Sequence, residues 1–287
     1  MNDSSAQVLN KNVGRTKKLK STTSFVIPYL VWMALFLVVP MGILVFLAIT
    51  TYDFSANSEV HFTLSNWDYV FNSSYAVNVF WPCVLRSFYV SFIVTIICLI
   101  IGYPVAYFMT KIKPKYRALI MIFLSLPLWC NQVLRIVSWR TIFEILGTNY
   151  NEYYLLNIII AMVSMYMPFM ILPIFTVLEK LDYRIIEASY DLGCSKTQSF
   201  LKVTLPLSLG GIVSGVIMTF LPSLTSFEVS DAISYNTVLL LGNLIHARFH
   251  GTGGYNIGSV FSIITIVFTV VGFILVLKVD KEGETLI

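Results

Sequence analysis

The sequence predicts an all-α polytopic membrane protein with six transmembrane helices. Of its 287 residues, 57% are hydrophobic and only 12% are charged, whereas an ordinary soluble domain is about 45–50% apolar and about 25% charged. Apolar runs of about 18 or more residues are long enough to cross a hydrocarbon core about 30 Å thick as helices. Six such runs occur, and they cover about residues 24–50, 86–110, 116–134, 155–178, 207–227 and 257–279.

The individual runs differ in regularity. The first is longer than the apolar core of a cleaved signal peptide, so we expect it to be a retained helix. The third is interrupted by LPLWCNQV around Pro127 and Asn131. Prolines inside the runs predict kinks rather than ends, because neighbouring helices re-satisfy the freed backbone groups in a membrane. In the fifth run GIVSG (211–215) has the GxxxG form that lets two helices approach closely, which predicts a tight neighbour for this helix.

Lysine and arginine predict the orientation, because short segments rich in these residues stay in the cytoplasm. If both termini are cytoplasmic, only four of the 19 basic residues fall outside, namely Arg86, Arg135, Arg140 and Arg248. The net charge of +4 therefore reflects membrane topology and does not indicate nucleic-acid binding. The predicted organisation is a basic cytoplasmic N-terminal tail (1–23), a six-helix membrane domain (24–279) and a short cytoplasmic C-terminal tail (280–287).

Motifs for catalysis or cofactor binding are missing from the sequence. A pump that hydrolysed ATP itself would need a phosphate-binding loop such as GxxxxGK(S/T), and the chain has no Gly-Lys dipeptide. The four cysteines have no spacing typical of a disulfide framework or a zinc site. His246 and His250 are four residues apart without a nearby carboxylate, which favours a polar loop over a metal site. We expect no catalytic residue, metal or cofactor in this chain.

The mostly polar stretch 179–206 predicts two short helices joined by a turn. Asp182 is placed to cap the first helix. One mildly apolar face follows at helical spacing, made of Ile185, Ser189 and Leu192. Gly193 is placed to end this helix in a left-handed conformation, and SKTQ (195–198) has the form of a capping box that begins the second helix.

Three interpretations compete for this hairpin. A DNA-reading helix-turn-helix needs a basic surface, but four basic and four acidic residues balance one another between residues 179 and 206. A helix lying on the membrane surface needs a strongly basic polar face, which the same balance does not supply. The remaining interpretation is a segment that docks on another protein.

The sequence EASYDLGCSKTQSFLKVTLP (187–206) resembles the EAA loop of ABC-importer permeases. That loop has the pattern EAA, then Gly after three residues, then I-x-L-P after nine more, and it precedes the second-last helix. The matching residues are Glu187, Ala188, Gly193, Leu205 and Pro206. Ser189 stands in place of the second alanine and Val203 in place of the isoleucine. Further segments between about residues 85 and 279, among them LPLWCNQVLRIVSWRTIF and EVSDAISYNTVLLLGNLI, resemble the spermidine/putrescine permeases of this group in the same order.

The resemblance implies a type I ABC importer permease fold with a cytoplasmic coupling-helix hairpin. It also implies a half-channel in the bacterial inner membrane that pairs with a second, similar permease, two cytoplasmic ATPase subunits and an external substrate-binding protein. ATP and magnesium would then be held by the ATPase subunits, which would carry out the hydrolysis. The implied coupling residues are Glu187 for polar contacts or for capping its own hairpin, Ala188 for close approach and Gly193 for the turn, together with Ser189, Leu205 and Pro206.

Charged and aromatic residues near the outer end of the fifth run are candidates for a substrate path. Glu228 and Asp231 are three residues apart and would share a face if the helix continues. Carboxylates at membrane depth usually face a cavity or a partner. Polyamines carry several ammonium groups separated by methylenes, so carboxylates and aromatic faces would suit them. The candidate aromatic residues are Trp129, Tyr166 and Phe227.

Alternatives to this interpretation stay open on the sequence alone. The two carboxylates could be solvated loop charges, or Asp231 could pair with Arg135 or Arg140 to hold an external loop together. An arginine in the path would favour an anionic cargo, and the EAA loop is shared by importers of iron and other small solutes. A self-sufficient ion-coupled carrier is a further alternative, although such carriers usually show an internal repeat that is not detectable here.

Overall fold

The computed structural model describes residues 26–51, 60–148, 150, 152–251 and 254–284, with side chains up to residue 274. The predicted N-terminal tail (1–23) and residues 285–287 of the predicted C-terminal tail lie outside the described residues. Within the described ranges the chain is almost entirely helical, apart from an isolated antiparallel bridge between Thr50 and Phe62. The predicted all-α class is therefore confirmed.

Twelve helices follow one another along the described part of the chain. The first six are α1 (Val26–Ala48), α2 (Ser65–Asn72), α3 (Ala76–Lys111), α4 (Pro114–Trp129), α5 (Gln132–Ile145) and α6 (Tyr154–Lys180). The remaining six are α7 (Tyr183–Asp191), α8 (Lys196–Leu207), α9 (Leu209–Thr225), α10 (Glu228–Ser234), α11 (Leu241–His250) and α12 (Tyr255–Glu284).

Six spans are obtained when bent helix pairs are counted as single spans. Among the described residues, four continuous helices are long and apolar enough to cross a membrane, namely α1, α3, α6 and the part of α12 up to Ile274. The pairs α4–α5 and α8–α9 also qualify, with bends of 91° and 61° respectively. The positions agree with the six predicted runs, but neither bend follows from the apolar runs alone.

The 91° bend replaces the end of the predicted third run. Cys130 and Asn131 have extended backbone with ψ angles of 145° and 129°, so α4 ends at Trp129 rather than near residue 134. The Asn131 side chain accepts a hydrogen bond from the Val133 amide at 2.8 Å and begins α5. Pro127 lies inside α4 as expected. The polar residues that interrupt this run therefore mark a sharp change of direction.

Wide helical turns precede three of the prolines. In each turn, an amide bonds to the carbonyl five residues earlier instead of four. These π-helical turns are Ala34–Val38, Ala76–Phe80 and Phe200–Thr204, and each ends two residues before a proline: Pro40, Pro82 and Pro206. A proline ring collides with the carbonyl four residues before it. The wide turn relieves this collision and lets the helix continue through the proline.

The centre of the bundle is formed by α3, α6 and α9, which pack against one another. Glycines make the close approach of α9 to α6 possible. A β-carbon at Gly215 would lie 2.8 Å from the Met170 sulfur, and one at Gly211 would lie 3.0 Å from the Ile174 α-carbon. The tight neighbour that GIVSG predicts for the fifth span is therefore α6.

A second packing region brings the first and the last described helices together. It contains the end of α1, α2, the start of α3, α11 and α12, and at its centre the rings of Phe80 and Phe261 stack with centroids 4.3 Å apart. The C-terminal half of α1 packs on α12. Most apolar side chains of α1 between Val26 and Phe46 are exposed, as expected for a membrane helix that contacts lipid or another subunit.

Candidate functional site

Helices α7 and α8 form the predicted hairpin directly after the end of α6. The Asp182 side chain accepts a hydrogen bond from the Arg184 amide at 3.0 Å and caps α7. Gly193 follows this helix with a φ of +85°, in the left-handed region that favours glycine. Ser195 and Gln198 form a capping box with hydrogen bonds of 3.0 and 3.3 Å. All three local predictions are confirmed, because each depends on residues close together in sequence.

The packed face of α7 differs from the predicted one. Ser189 is buried as expected, but Ile185 and Leu192 are 47% and 85% exposed. The buried partner of Ser189 is Ile186, one turn earlier. Contacts with other helices determine which face of α7 is buried, and these contacts are not encoded in the spacing of apolar residues within α7 alone.

A pair of serine hydroxyl groups fastens the two hairpin helices together. The Ser189 and Ser199 Oγ atoms are 2.6 Å apart, and both residues are buried. Ser189 Oγ also donates to the Ile186 carbonyl at 2.6 Å. Because a hydroxyl has only one hydrogen, Ser199 must donate to Ser189. The residue that replaces the second alanine of the EAA pattern therefore provides a link that alanine cannot form.

Most of the other residues of the EAA pattern are accessible from outside the chain. Glu187, Ala188, Gly193 and Pro206 are exposed, and Leu205 is half-buried. Within the hairpin, the hydrogen bonds described above involve none of their side chains. Their exposure means that the fold of the hairpin leaves them free to contact another protein.

The hairpin is joined to the membrane helix α9 through the second bent pair. The 61° bend lies at Ser208, whose hydroxyl is 2.9 Å from the Tyr103 hydroxyl of α3. The Tyr103 ring also meets the Phe200 ring edge to face at 5.8 Å. Residues of α3 thus hold both the π-helical turn and the bend, so that α8 and α9 keep a defined angle.

Three of the five predicted path residues line one cavity at the other end of α9. This cavity has a volume of about 280 Å³, and its walls include Tyr166, Phe227 and Glu228 together with Gln132 and Phe169. The Gln132 side-chain amide donates to the Glu228 carboxylate at 2.9 Å and so connects α5 to α10. A carboxylate and several aromatic rings therefore surround a space large enough for part of a slender cation.

The other two predicted path residues lie elsewhere. Trp129 is 87% exposed at the end of α4 and lines a separate apolar cavity with Met121 and Leu126. Asp231 is half-buried and accepts a hydrogen bond from the Asn243 side chain of α11. The backbone turns at Ser226, so α10 is a separate short helix rather than a continuation of α9. Both carboxylates lie in α10, but Glu228 bonds to Gln132 of α5 and Asp231 bonds to Asn243 of α11.

The arginines considered as partners of Asp231 have other surroundings. Arg140 Nε donates to Glu144 at 3.0 Å, and its guanidinium lies 4.3 Å from the centre of the Tyr235 ring. The Tyr235 hydroxyl donates to the same carboxylate at 2.6 Å. Arg135 is half-buried and forms no ion pair with Asp231. The loop after α10 is therefore tied to α5 through Tyr235 and Glu144, and Asp231 takes no part in that link.

The sequence did not indicate the other five lining residues of the main cavity, which are Gln132, Phe169, Pro222, Thr225 and Ser226. Gln132 lies directly after the interruption in the third apolar run, so the polar letters of LPLWCNQV were the available signal. Phe169 follows Tyr166 by three residues and therefore lies on the same side of α6. Phe227 has a second role as a dividing wall, because its other side stacks on the His246 ring at 4.5 Å in a neighbouring apolar cavity.

Comparison with known proteins decides the family. Residues 99–282 match the family described as binding-protein-dependent transport system inner membrane components. The chain belongs to this family. The match includes the hairpin, the bend and the main cavity, and the predicted membership among ABC-importer permeases is confirmed. The permease is thus a multi-pass inner-membrane component of a transport system that depends on a binding protein.

Relatives of the permease carry a more specific name. The spermidine/putrescine transport system permease protein PotB of Haemophilus influenzae is 35% identical over 258 residues, which cover 85% of this chain and 88% of the relative. The protein of the same name from Escherichia coli K12 is 31% identical over 252 residues, covering 82% and 90% respectively.

Solved structures confirm the fold of the permease. A chain of a bacterial ABC transporter involved in the import of the acidic polysaccharide alginate superimposes with a TM-score of 0.72 at 15% identity, covering 96% of this chain and 98% of the other. The alginate transporter in complex with its alginate pentasaccharide-bound periplasmic protein gives a TM-score of 0.61 at 14% identity. The predicted ABC-importer permease fold is therefore confirmed.

Proposed function

We propose that this permease carries polyamines of the spermidine and putrescine type into the cytoplasm as one membrane subunit of an ATP-driven importer. The observation that carries the choice of cargo is the cavity in which Glu228 lies beside Tyr166, Phe169 and Phe227. The carboxylate attracts an ammonium group, and the aromatic faces attract both the charge and the methylene chain. The names of the two PotB relatives support the same class of cargo.

In the proposed assembly both termini are cytoplasmic, and the permease pairs with a second, similar permease. Two ATPase subunits bind on the cytoplasmic side and hold ATP and magnesium, while a substrate-binding protein delivers the cargo from outside. The distribution of lysine and arginine supports this orientation. The family description, which names a binding protein, supports the external partner.

The hairpin is the proposed contact with an ATPase. Glu187 and Ala188 are exposed on α7 and supply a carboxylate and a small side chain for close approach. Gly193 makes the turn that presents them, and Ser189 fastens α7 to α8. Leu205 and Pro206 lead into the bend. When ATP brings the two ATPases together, the hairpin moves with its ATPase and carries α9 along.

Movement of the hairpin reaches the cavity through one continuous segment of chain. The bend at Ser208 joins α8 to α9, and α9 ends beside Phe227 and Glu228 in the cavity wall. The hydrogen bond between Gln132 and Glu228 crosses from α5 to α10. A shift of α9 therefore changes the width of the cavity, and an ammonium group of the cargo replaces the Gln132 amide as partner of Glu228.

The remaining path candidates have supporting roles in this proposal. Asp231 adds negative charge near the cavity while its hydrogen bond with Asn243 holds α10 against α11. Trp129 contributes to the outer surface of α4 and does not contact the cargo. The cargo contacts proposed are Tyr166, Phe227, Glu228 and Gln132.

The cargo is tested by uptake of labelled spermidine into cells that lack the chain and cells in which it has been restored. We expect uptake to return with the chain, to stop when ATP is depleted and to be inhibited by unlabelled putrescine but not by neutral or anionic solutes. Inhibition by an anion instead would reject the polyamine assignment and favour another small solute. Uptake that persists without ATP would favour an ion-coupled carrier.

The role of Glu228 is tested by Glu228→Gln, with Glu152→Gln as the matched control because Glu152 is an exposed residue that lies outside the cavity. Glu228 is exposed at the cavity mouth, so its charge contributes at most about 1 kcal/mol. We expect the KM for spermidine to rise by up to about fivefold. An equal effect of both substitutions would argue against a direct contact.

Coupling is tested by Glu187→Arg, with Asp191→Arg as the control on the same hairpin. Both side chains are exposed, so neither change disturbs packing. Asp191 is the last residue of α7, where a positive charge suits the helix dipole. We expect Glu187→Arg to abolish uptake or ATPase binding while the chain stays in the membrane. Normal uptake by this variant would reject the coupling role.

A further inference from the structure

A further cavity, lined by charged and aromatic residues, lies between the hairpin and the ends of the membrane helices. It has a volume of about 180 Å³ and is bounded by α3, α4, α6, α7 and α8. Its principal lining residues are Tyr107, Lys111, Arg117, Glu179, Tyr183 and Ile186. None of these residues belongs to the EAA pattern or to the cavity proposed for the cargo, so the function described above does not use this space.

Lys111 brings an uncompensated positive charge to this cavity. Its ammonium nitrogen lies 5.1 Å from the centre of the Tyr107 ring and 5.2 Å from that of Tyr183. Two aromatic faces at this distance hold a cation in place. Lys111 is exposed and forms no ion pair with any described residue, so its charge stays available to a ligand.

The other charges of the cavity are engaged with each other. Arg117 Nη1 pairs with the Glu179 carboxylate at 2.8 Å, and Nη2 donates to the Thr110 carbonyl at 2.8 Å. The lining thus has two cations and one carboxylate, and the excess positive charge lies at Lys111. The Tyr107 and Tyr183 hydroxyls form no hydrogen bond with another described residue, and each can donate one to an anion.

We infer that this cavity binds a phosphate group, supplied either by an anionic lipid headgroup or by free inorganic phosphate. A phosphate fits the volume, and the cage of Lys111 and two tyrosines offers it charge and hydrogen-bond donors. Basic residues beside membrane helices attract anionic headgroups. A ligand here contacts α3 and α7 at once and therefore restrains the hairpin against the bundle.

The test uses the complete chain in nanodiscs and does not depend on the cargo. In one arm, retention of phosphatidylglycerol in an otherwise phosphatidylcholine disc is measured by native mass spectrometry. In the other, binding of labelled inorganic phosphate to the chain in phosphatidylcholine discs is measured by equilibrium dialysis. The variants are Lys111→Gln, the charge-retaining Lys111→Arg, and Lys115→Gln as a control that removes an exposed charge at the start of α4 but not from the cavity.

We expect Lys111→Gln to weaken binding about fivefold, because it removes the uncompensated charge of the cavity. Lys111→Arg keeps this charge and Lys115→Gln leaves the cavity unchanged, so both should stay within about twofold of the unchanged chain. If this pattern is seen for lipid retention, the ligand is a lipid headgroup. If it is seen in the dialysis experiment, the ligand is soluble phosphate. Either result supports the site. Equal losses from Lys111→Gln and Lys115→Gln would mean diffuse surface attraction and would overturn it. Binding in neither arm would also overturn it.

Discussion

Replacing Ser189 by alanine restores the second alanine of the EAA pattern and yet should loosen the hairpin. The Ser199 hydroxyl donates to Ser189, and Ser199 is only 1% exposed. Ser189→Ala therefore leaves a buried donor without a partner, which costs about 1–3 kcal/mol. At about 2 kcal/mol the open form of the hairpin becomes about thirtyfold more populated.

Replacing the other serine of the pair, Ser199, by alanine should have a smaller effect. In Ser199→Ala the Ser189 hydroxyl keeps its hydrogen bond to the Ile186 carbonyl, so we expect a loss of about 0.5–1 kcal/mol. The double variant has no unpaired hydroxyl and should resemble Ser199→Ala alone. The two substitutions are thus predicted to be strongly non-additive.

Hydrogen exchange of the α7 and α8 amides in nanodiscs measures this effect, because it reports local opening that global unfolding would not reveal. Ser138→Ala is the control, since Ser138 is an exposed serine that bonds only to the Leu134 carbonyl within α5. Additive effects of the two hairpin substitutions, or unchanged exchange in Ser189→Ala, would show that the hydroxyl pair does not fasten the hairpin.

Three further substitutions test other features. Gly193→Ala forces a β-carbon into a backbone with φ of +85° and should destabilise the hairpin by about 1–2 kcal/mol, seen as faster exchange, whereas Gly193→Asn should be milder. Gly215→Val places side-chain atoms within 3 Å of Met170 and should destabilise the folded chain by about 1–3 kcal/mol, seen as a lower melting temperature in detergent. An unchanged melting temperature would contradict the close packing of α9 on α6. Asn243→Ala leaves the Asp231 carboxylate and the Leu240 amide without their partner and should raise exchange in α10 and α11 about fivefold or more, while unaltered exchange would remove the link between these helices.

Local signals in the sequence determined much of the hairpin. The cap at Asp182, the turn at Gly193 and the capping box at Ser195 each depend on the chemistry of a few adjacent residues. The buried face of α7 could not be predicted in this way, because it depends on contacts with other helices: Ser189 contacts Ser199 of α8, and Ile186 lines a cavity with residues of α3 and α6. The spacing of apolar residues selected Ile185 and Leu192, which the structure leaves exposed.

In the candidate path, residue types could be recognised from the sequence, but contacts between distant residues could not. Tyr166, Phe227 and Glu228 were recognised by residue type and meet in one cavity. Gln132 is 96 residues away from Glu228, and no periodicity within either segment indicates their hydrogen bond. The bend at Cys130 and Asn131 separates Trp129 from this cavity, and an apolar run read as a straight helix conceals such a bend.

The π-helical turn before Pro206 restricts the number of residues between Gly193 and Leu205. Such a turn is equivalent to one extra residue in an α-helix, and each residue of an α-helix rotates the chain by about 100°. Deleting one residue between Phe200 and Thr204 would turn the hairpin by about that angle around the axis of α8 while leaving its internal hydrogen bonds intact. Glu187 and Ala188 would then face a different direction. The fixed interval between Gly193 and Leu205 in the EAA pattern is therefore a requirement of helical phase, in addition to any requirement for particular side chains.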